Sequence, residues 1–144
     1  MYNFKKDEDG DYYVKEKLPN GQTLHMTFQV FNKNDSCSFW VGLIIYKKRK
    51  QLSDDRLYLK GTGTLGIKTL LIARDIILEF EEYMKQIIYE SKTIYGRSFT
   101  YDKYYIAIDW DDNRRRDVYK RGLQKYGYDY GFEAGFKCLR KRII

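Results

Sequence analysis

Lys60-Gly61-Thr62-Gly63-Thr64-Leu65-Gly66 is the stretch from which the rest of the chain is read. A short apolar run, Leu57-Tyr58-Leu59, leads into it, and a long amphipathic run opens at Ile67. Strand, glycine turn, helix is a layout that aims backbone N–H groups and the positive end of a helix dipole at an anion. Gly61, Gly63 and Gly66 permit positive φ and let a ligand approach the backbone closely. Thr62 and Thr64 add hydroxyl donors, and Lys60 and Lys68 flank the turn. Two readings stand side by side: a cradle for a phosphate or pyrophosphate, or a plain strand-to-helix connection that binds nothing. The P-loop is rejected. Gly61 and Gly66 have its separation, but Ile67 intervenes before Lys68-Thr69. That extra residue turns the lysine about 100° round the helix, away from a phosphate.

From Ile67 onward Leu70, Leu71, Ile77, Leu78, Phe80, Met84, Ile87 and Ile88 recur at steps of three and four. Asp75, Glu79, Glu82 and Lys85 fall on the other side. This spacing predicts a helix over 67–91 that buries Leu70, Leu71, Ile77 and Met84 against a sheet. Upstream, 11–18 and 22–31 read as strands joined at Pro19-Asn20-Gly21, a strong hairpin turn. After a turn at 32–36, the run 37–48 is almost continuously apolar, which suits a central strand covered on both sides. Ser53-Asp54-Asp55 turns the chain into a short strand at 56–59. Downstream, 95–102 reads as loop and 104–110 as strand. Asp111-Asp112-Asn113 offers an N-cap for a helix over 114–126, with Val118, Tyr119, Leu123 and Tyr126 as its buried stripe and Gly127 as its stop. The stretch 132–144 reads as one closing strand with Gly135 as a bulge. The fold class is α+β: an antiparallel meander, then helix, strand, helix, strand, giving a mixed sheet with two main helices in one domain, 1–144.

Charge points to an anionic partner. The net charge is +7, with dense basic runs at Lys47-Lys48-Arg49-Lys50, at Arg114-Arg115-Arg116 and from Lys137 to Arg142. Nucleic acid, a phosphorylated cofactor or an acidic protein face all fit such a charge. No recognition helix or stacking platform stands out, so nucleic-acid binding is expected to be weak and non-specific. No apolar run approaches the length of a membrane span. The first residues lack the apolar core of a signal peptide, so a cytoplasmic location is expected. Cys37 and Cys138 lack the spacing of a metal site or a disulfide framework. The Lys-, Asn-, Tyr- and Ile-rich composition suits an AT-rich genome such as that of a bacteriophage.

The segment from Lys60 to Leu65, followed by Leu70-Leu71, resembles the Arg/Gln-x-x-Gly-x-Gly/Ala turn of the GNAT acyltransferases, which opens a helix bearing a Leu-Leu pair. Here lysine replaces Arg/Gln, and Leu65 stands where Gly or Ala is usual. Asn113, Tyr119 and Gly127-Tyr128 resemble the Asn, Tyr and Gly-Phe of the family's second helix. The element order over 37–128 is similar to the GNAT core: hairpin, cofactor turn and helix, strand, helix, closing strand. One difference is large. The tight hairpin at Pro19-Asn20-Gly21 stands where GNAT proteins usually place two helices that shape the acceptor site.

The resemblance implies acyl transfer from acetyl-CoA, or another acyl-CoA, to an amine. Lys60, Gly61, Thr62, Gly63, Thr64, Leu65 and Gly66 are then the pyrophosphate turn, with Asn113 also at the cofactor. A backbone N–H on 56–59 is expected to polarise the thioester carbonyl. Tyr119 is expected to protonate the departing thiolate; its other reading is a packed core tyrosine. His25, Asp54, Asp55 and Asp109 are candidate bases by position alone. A second class is a non-catalytic module of the same fold, used for binding or assembly with a protein partner or further copies of the chain. A remote third is a Mg-dependent nuclease built on Asp109, Asp111 and Asp112, against which those residues read as an ordinary capped helix start.

Overall fold

Alternating apolar residues set the first three long strands, and a 3.6-residue period sets the helices. The computed structural model describes residues 1–47, 50–51, 66–94, 101–109 and 113–144. In chain order the elements are β1 (Lys5–Lys6), β2 (Tyr12–Lys17), β3 (Thr23–Lys33), β4 (Ser36–Lys47), β5 (Lys50–Gln51), α1 (Gly66–Ile94), β6 (Lys103–Ile108), α2 (Asn113–Leu123), β7 (Asp129–Glu133) and β8 (Phe136–Arg142). A single 3-10 turn, Gln124–Tyr126, closes α2 at Gly127, which has φ 97°. One sheet runs β1-β2-β3-β4-β6-β8-β7, with β5 added beside β4. Its ladders are antiparallel except β4 with β6, which is parallel. The chain is thus α+β, with a mixed sheet and two main helices. Among the described residues no helix is long and apolar enough to cross a membrane.

Tyr12, Val14, Leu24, Met26, Phe28, Phe39, Val41, Leu43 and Ile45 all point to one face and are buried there. The residues between them point the other way, as the two-residue period of a strand requires. β4 is central, as its sequence implies, but the two sides of β4 differ. Trp40, Ile44 and Tyr46 on its second side are only half-buried. The reason is the chain's topology. A parallel β–α–β crossover is right-handed. β4 to β6 and β6 to β7 advance across the sheet in one direction, so α1 and α2 fall on the same face. Leu70, Ala73 and Ile77 of α1 meet Tyr119 and Leu123 of α2 around a cavity of about 40 Å³.

Two expectations need correction. Leu71 is 42% exposed, and Leu70 is only half-buried. The inward stripe of α1 is Thr69, Ala73, Ile76, Ile77, Phe80, Met84 and Ile88. Leu71 lies two residues from both Thr69 and Ala73, roughly 200° round the helix, so it faces out. Ile77 and Met84 are buried as expected. The closing strand is also not single. Ala134 at φ 52° and Gly135 at φ 83° make a two-residue turn between β7 and β8. Positive φ at both turn positions is the geometry that matches the twist of a hairpin. Alanine is rarely used there, which is why Gly135 reads as a bulge in the sequence. The expected turn at 53–55, the strand at 56–59 and most of the loop at 95–102 lie outside the described residues.

Candidate functional site at the end of the parallel strand pair

The parallel ladder of β4 and β6 runs from Ser36 and Lys103 to Val41 and Ile108 and stops there. β6 ends, while β4 continues to Lys47. On that side β4 next meets β5, at Tyr46. Gly42, Leu43, Ile44 and Ile45 lie between the two ladders, and beside Gly42, Leu43 and Ile44 no strand lies on that side among the described residues. α1 returns the chain from the carboxyl end of β4 to the amino end of its parallel neighbour, so α1 starts at the carboxyl end of the pair. α2 leaves from the carboxyl end of β6 and starts at the same end. Open sheets with parallel neighbours bind ligands in the crevice at this end. Helix amino ends there carry unsatisfied N–H groups and partial positive charge.

Of the residues expected at a cofactor, Gly66 opens α1 and Asn113 opens α2. These two come to the same end of the sheet. Lys60, Gly61, Thr62, Gly63, Thr64 and Leu65 lie outside the described residues. Tyr119 does not sit at the helix end. It lies about 9 Å further along α2 by helix rise, and is 1% exposed in the contact with α1. Leu70, Ala73, Ile77 and Leu123 line the same cavity, together with Arg74.

The candidate bases separate. His25 is on β3, on the sheet face away from the helices, paired with Lys15 and Ile44. Its ring lies 5.6 Å from Tyr13 and 6.2 Å from Tyr46. Burial, and then the nearby Lys15 charge, hold its pKa below the ordinary value of 6.5. It is therefore neutral at pH 7 and able to accept a proton, but it lies on the opposite face from Tyr119. Asp109 follows β6 directly and is half-buried. Asp54, Asp55, Asp111 and Asp112 lie outside the described residues. Among the described residues no cluster of His, Cys, Asp or Glu is arranged to hold a metal ion. Cys37 and Cys138 are buried free thiols whose pKa values burial pushes up to about 11. They are protonated at pH 7 and poor nucleophiles.

Two buried acids escape a reading of motifs. Glu81 on α1 accepts hydrogen bonds from Tyr128 Oη at 2.6 Å and Lys141 Nζ at 2.8 Å. Glu133 on β7 accepts from Arg140 at 2.5 Å and from Ser38 Oγ at 3.1 Å. A signal for Glu81 does exist: it follows Ile77 by four residues and precedes Ile88 by seven, in the apolar register of α1. Both acids serve packing. Each ties a late strand or turn to an earlier element.

No family model, no curated protein and no solved structure matches the chain.

Proposed function

We propose that the chain is a GNAT-like N-acyltransferase that takes acetyl-CoA, or another acyl-CoA, and acylates an amine. The observation that carries this reading is the parallel ladder that stops at Val41 and Ile108, with α1 and α2 both starting at its open end. In the sequence the glycine-rich stretch 60–66 immediately precedes and opens α1, and in this reading it is the pyrophosphate turn. Its backbone N–H groups and the dipole of α1 hold the pyrophosphate. In this reading a backbone N–H on 56–59 would polarise the thioester carbonyl. The amine nitrogen would attack the carbonyl carbon and the C–S bond would break; Tyr119 would protonate the departing thiolate, and the proton shed by the nitrogen would restore the tyrosine by way of solvent. The composition supports a bacteriophage protein acting in the cytoplasm of an infected host.

A second reading, a non-catalytic GNAT-fold module for binding or assembly, is favoured by the burial of Tyr119 and by the hairpin in place of the acceptor-side helices. Calorimetric titration separates the cofactor-binding reading from one with no cofactor. CoA and acetyl-CoA are expected to bind in the range typical of enzyme substrates, about 1 μM to 1 mM. No heat and no thermal shift at millimolar CoA removes the acyltransferase. Gly63→Val should abolish binding, because a branched side chain removes the access to positive φ and the close backbone approach that the proposed turn would use. Lys60→Ala should cost only one charge-assisted contact, roughly 1–3 kcal/mol. If Leu65 fills the pyrophosphate's place, wild type will not bind and Leu65→Gly will gain affinity.

Turnover tests the acid. If Tyr119 donates the proton, Tyr119→Phe should lower kcat by about 10²–10⁴-fold while CoA affinity stays unchanged. Equal kcat values for the two proteins would return Tyr119 to the core.

A further inference from the structure

Both helices lie on one face of the sheet, and no described helix covers the other. On that second face β2 and β3 carry Tyr13, Lys15 and Lys17 beside Thr27, His25 and Thr23. β4 adds Ile44 and Tyr46. Tyr13, His25 and Tyr46 form a ring ladder across three adjacent strands, with centroids 5.6 and 6.2 Å apart along it. Three strands span about 10 Å. All three rings are half-buried in the sheet surface, while Lys15 and Lys17 are exposed. Lys5 of β1 pairs with Tyr13 and joins the same face. None of the residues that β2, β3 and β4 turn this way is Asp or Glu. Glu16, the one acid within β2, points to the helix side, where its charge acts on Tyr2 together with Asp75 and Glu79 of α1.

We propose that this face binds single-stranded nucleic acid. Tyr13 and His25 meet edge to face, with planes at 73°, and His25 and Tyr46 are tilted by 33°; aromatic rings on a sheet surface offer stacking partners that unpaired bases can meet one by one and paired bases cannot. The lysines beside them meet the phosphates, and no carboxylate on these strands repels the backbone. A second copy of the chain is a poor occupant, because a two-fold contact here sets lysines against lysines with no counter-charge. Stacking and phosphate contacts do not read the 2′-hydroxyl, so DNA and RNA strands bind alike. The platform was not legible as a motif, because its rings come from strands that only the register brings together.

Fluorescence anisotropy with labelled oligothymidylate and oligouridylate of about ten nucleotides tests this. Both should bind, more tightly than a duplex of the same length. The Lys15→Glu/Lys17→Glu protein should bind at least about tenfold more weakly, and its log–log salt dependence should be shallower by about 1.4, the release expected for two phosphate contacts on a single strand. Tyr46→Leu keeps an apolar filler and loses the ring; it should weaken binding by about five- to tenfold. Arg121→Glu/Lys125→Glu makes the same change in net charge on the helix side and should change affinity less than about twofold. All four altered charged positions are exposed, so thermal melts should match wild type. Equal losses in the two double reversals would reduce the effect to net charge and overturn the proposal. So would a duplex, or oligoglutamate, binding as tightly as the single strand, or light scattering that shows a stable dimer abolished by Lys15→Glu/Lys17→Glu. Titration with CoA should be unaffected by these variants, so the two functional readings fail separately.

Discussion

The Phe80→Ala protein is expected to be about 3–5 kcal/mol less stable than wild type. Phe80 is fully buried at the middle of α1. Its ring stacks on Phe28 of β3 with centroids 3.7 Å apart and planes at 8°. Phe4, Tyr12 and Phe39 meet it edge-on at 5.3, 5.7 and 5.5 Å. One side chain therefore joins the N-terminal segment, β2, β3 and β4 to the helix. Truncation removes the ring's transfer energy and leaves a cavity that rings already packed against each other cannot refill. Domain stabilities are only about 5–15 kcal/mol, so this is a large share of the total. Urea unfolding should show a lower midpoint with an unchanged slope. Phe80→Leu should lose less, because a branched apolar group still fills part of the space. A loss below about 1 kcal/mol for Phe80→Ala would mean that the aromatic cluster is not the centre of the core.

What the sequence revealed follows from which interactions are local. The hairpin at Pro19-Asn20-Gly21 and the end of α2 at Gly127 depend on a few adjacent residues, and both lie where the residues put them. α1 has a long period to read, and it spans Gly66–Ile94 against an expectation of 67–91. Leu71 shows the limit of that period. In a helix with apolar residues on more than one side, hydrophobicity alone does not fix which stripe turns inward, and the fully buried Thr69 and Ala73 belong to the stripe that does. The β7–β8 hairpin was hidden because Ala134 takes a backbone conformation for which its side chain gives no signal. At the candidate site, Gly66 and Asn113 were legible as helix starts. That both starts share one end of the sheet depends on the parallel pairing of Ser36–Val41 with Lys103–Ile108, across more than sixty intervening residues. No local pattern encodes such a pairing. The Tyr13–His25–Tyr46 ladder is non-local in the same way.

Glu81→Ala is expected to match Phe80→Ala in size by a different mechanism, again about 3–5 kcal/mol. The carboxylate is 3% exposed and satisfied on both oxygens, by the Tyr128 hydroxyl and the Lys141 ammonium. Removing it leaves a mostly buried cation and a buried hydroxyl without their acceptor, which costs more than the intact network contributes. The loss should therefore shrink when the stranded charge is removed as well. Glu81→Ala/Lys141→Met should be more stable than Glu81→Ala alone, and the double-mutant cycle should give a coupling of roughly 0.5–3 kcal/mol. Additive losses would show that the two groups do not depend on each other. Tyr128→Phe keeps the ring and should cost about 1–3 kcal/mol. The tyrosine also sets an alkaline limit. Burial first, then the charge and hydrogen bond of Glu81, raise its pKa well above 10.0. The folded chain thus holds this proton at pH values where the unfolded chain releases it. Its contribution is complete below about pH 10 and falls as pH rises beyond that. Unfolding free energies measured from neutral pH upward should show this decline in wild type. The Tyr128→Phe protein should start lower and lose less over the same range, since it has no phenol there to ionise on unfolding.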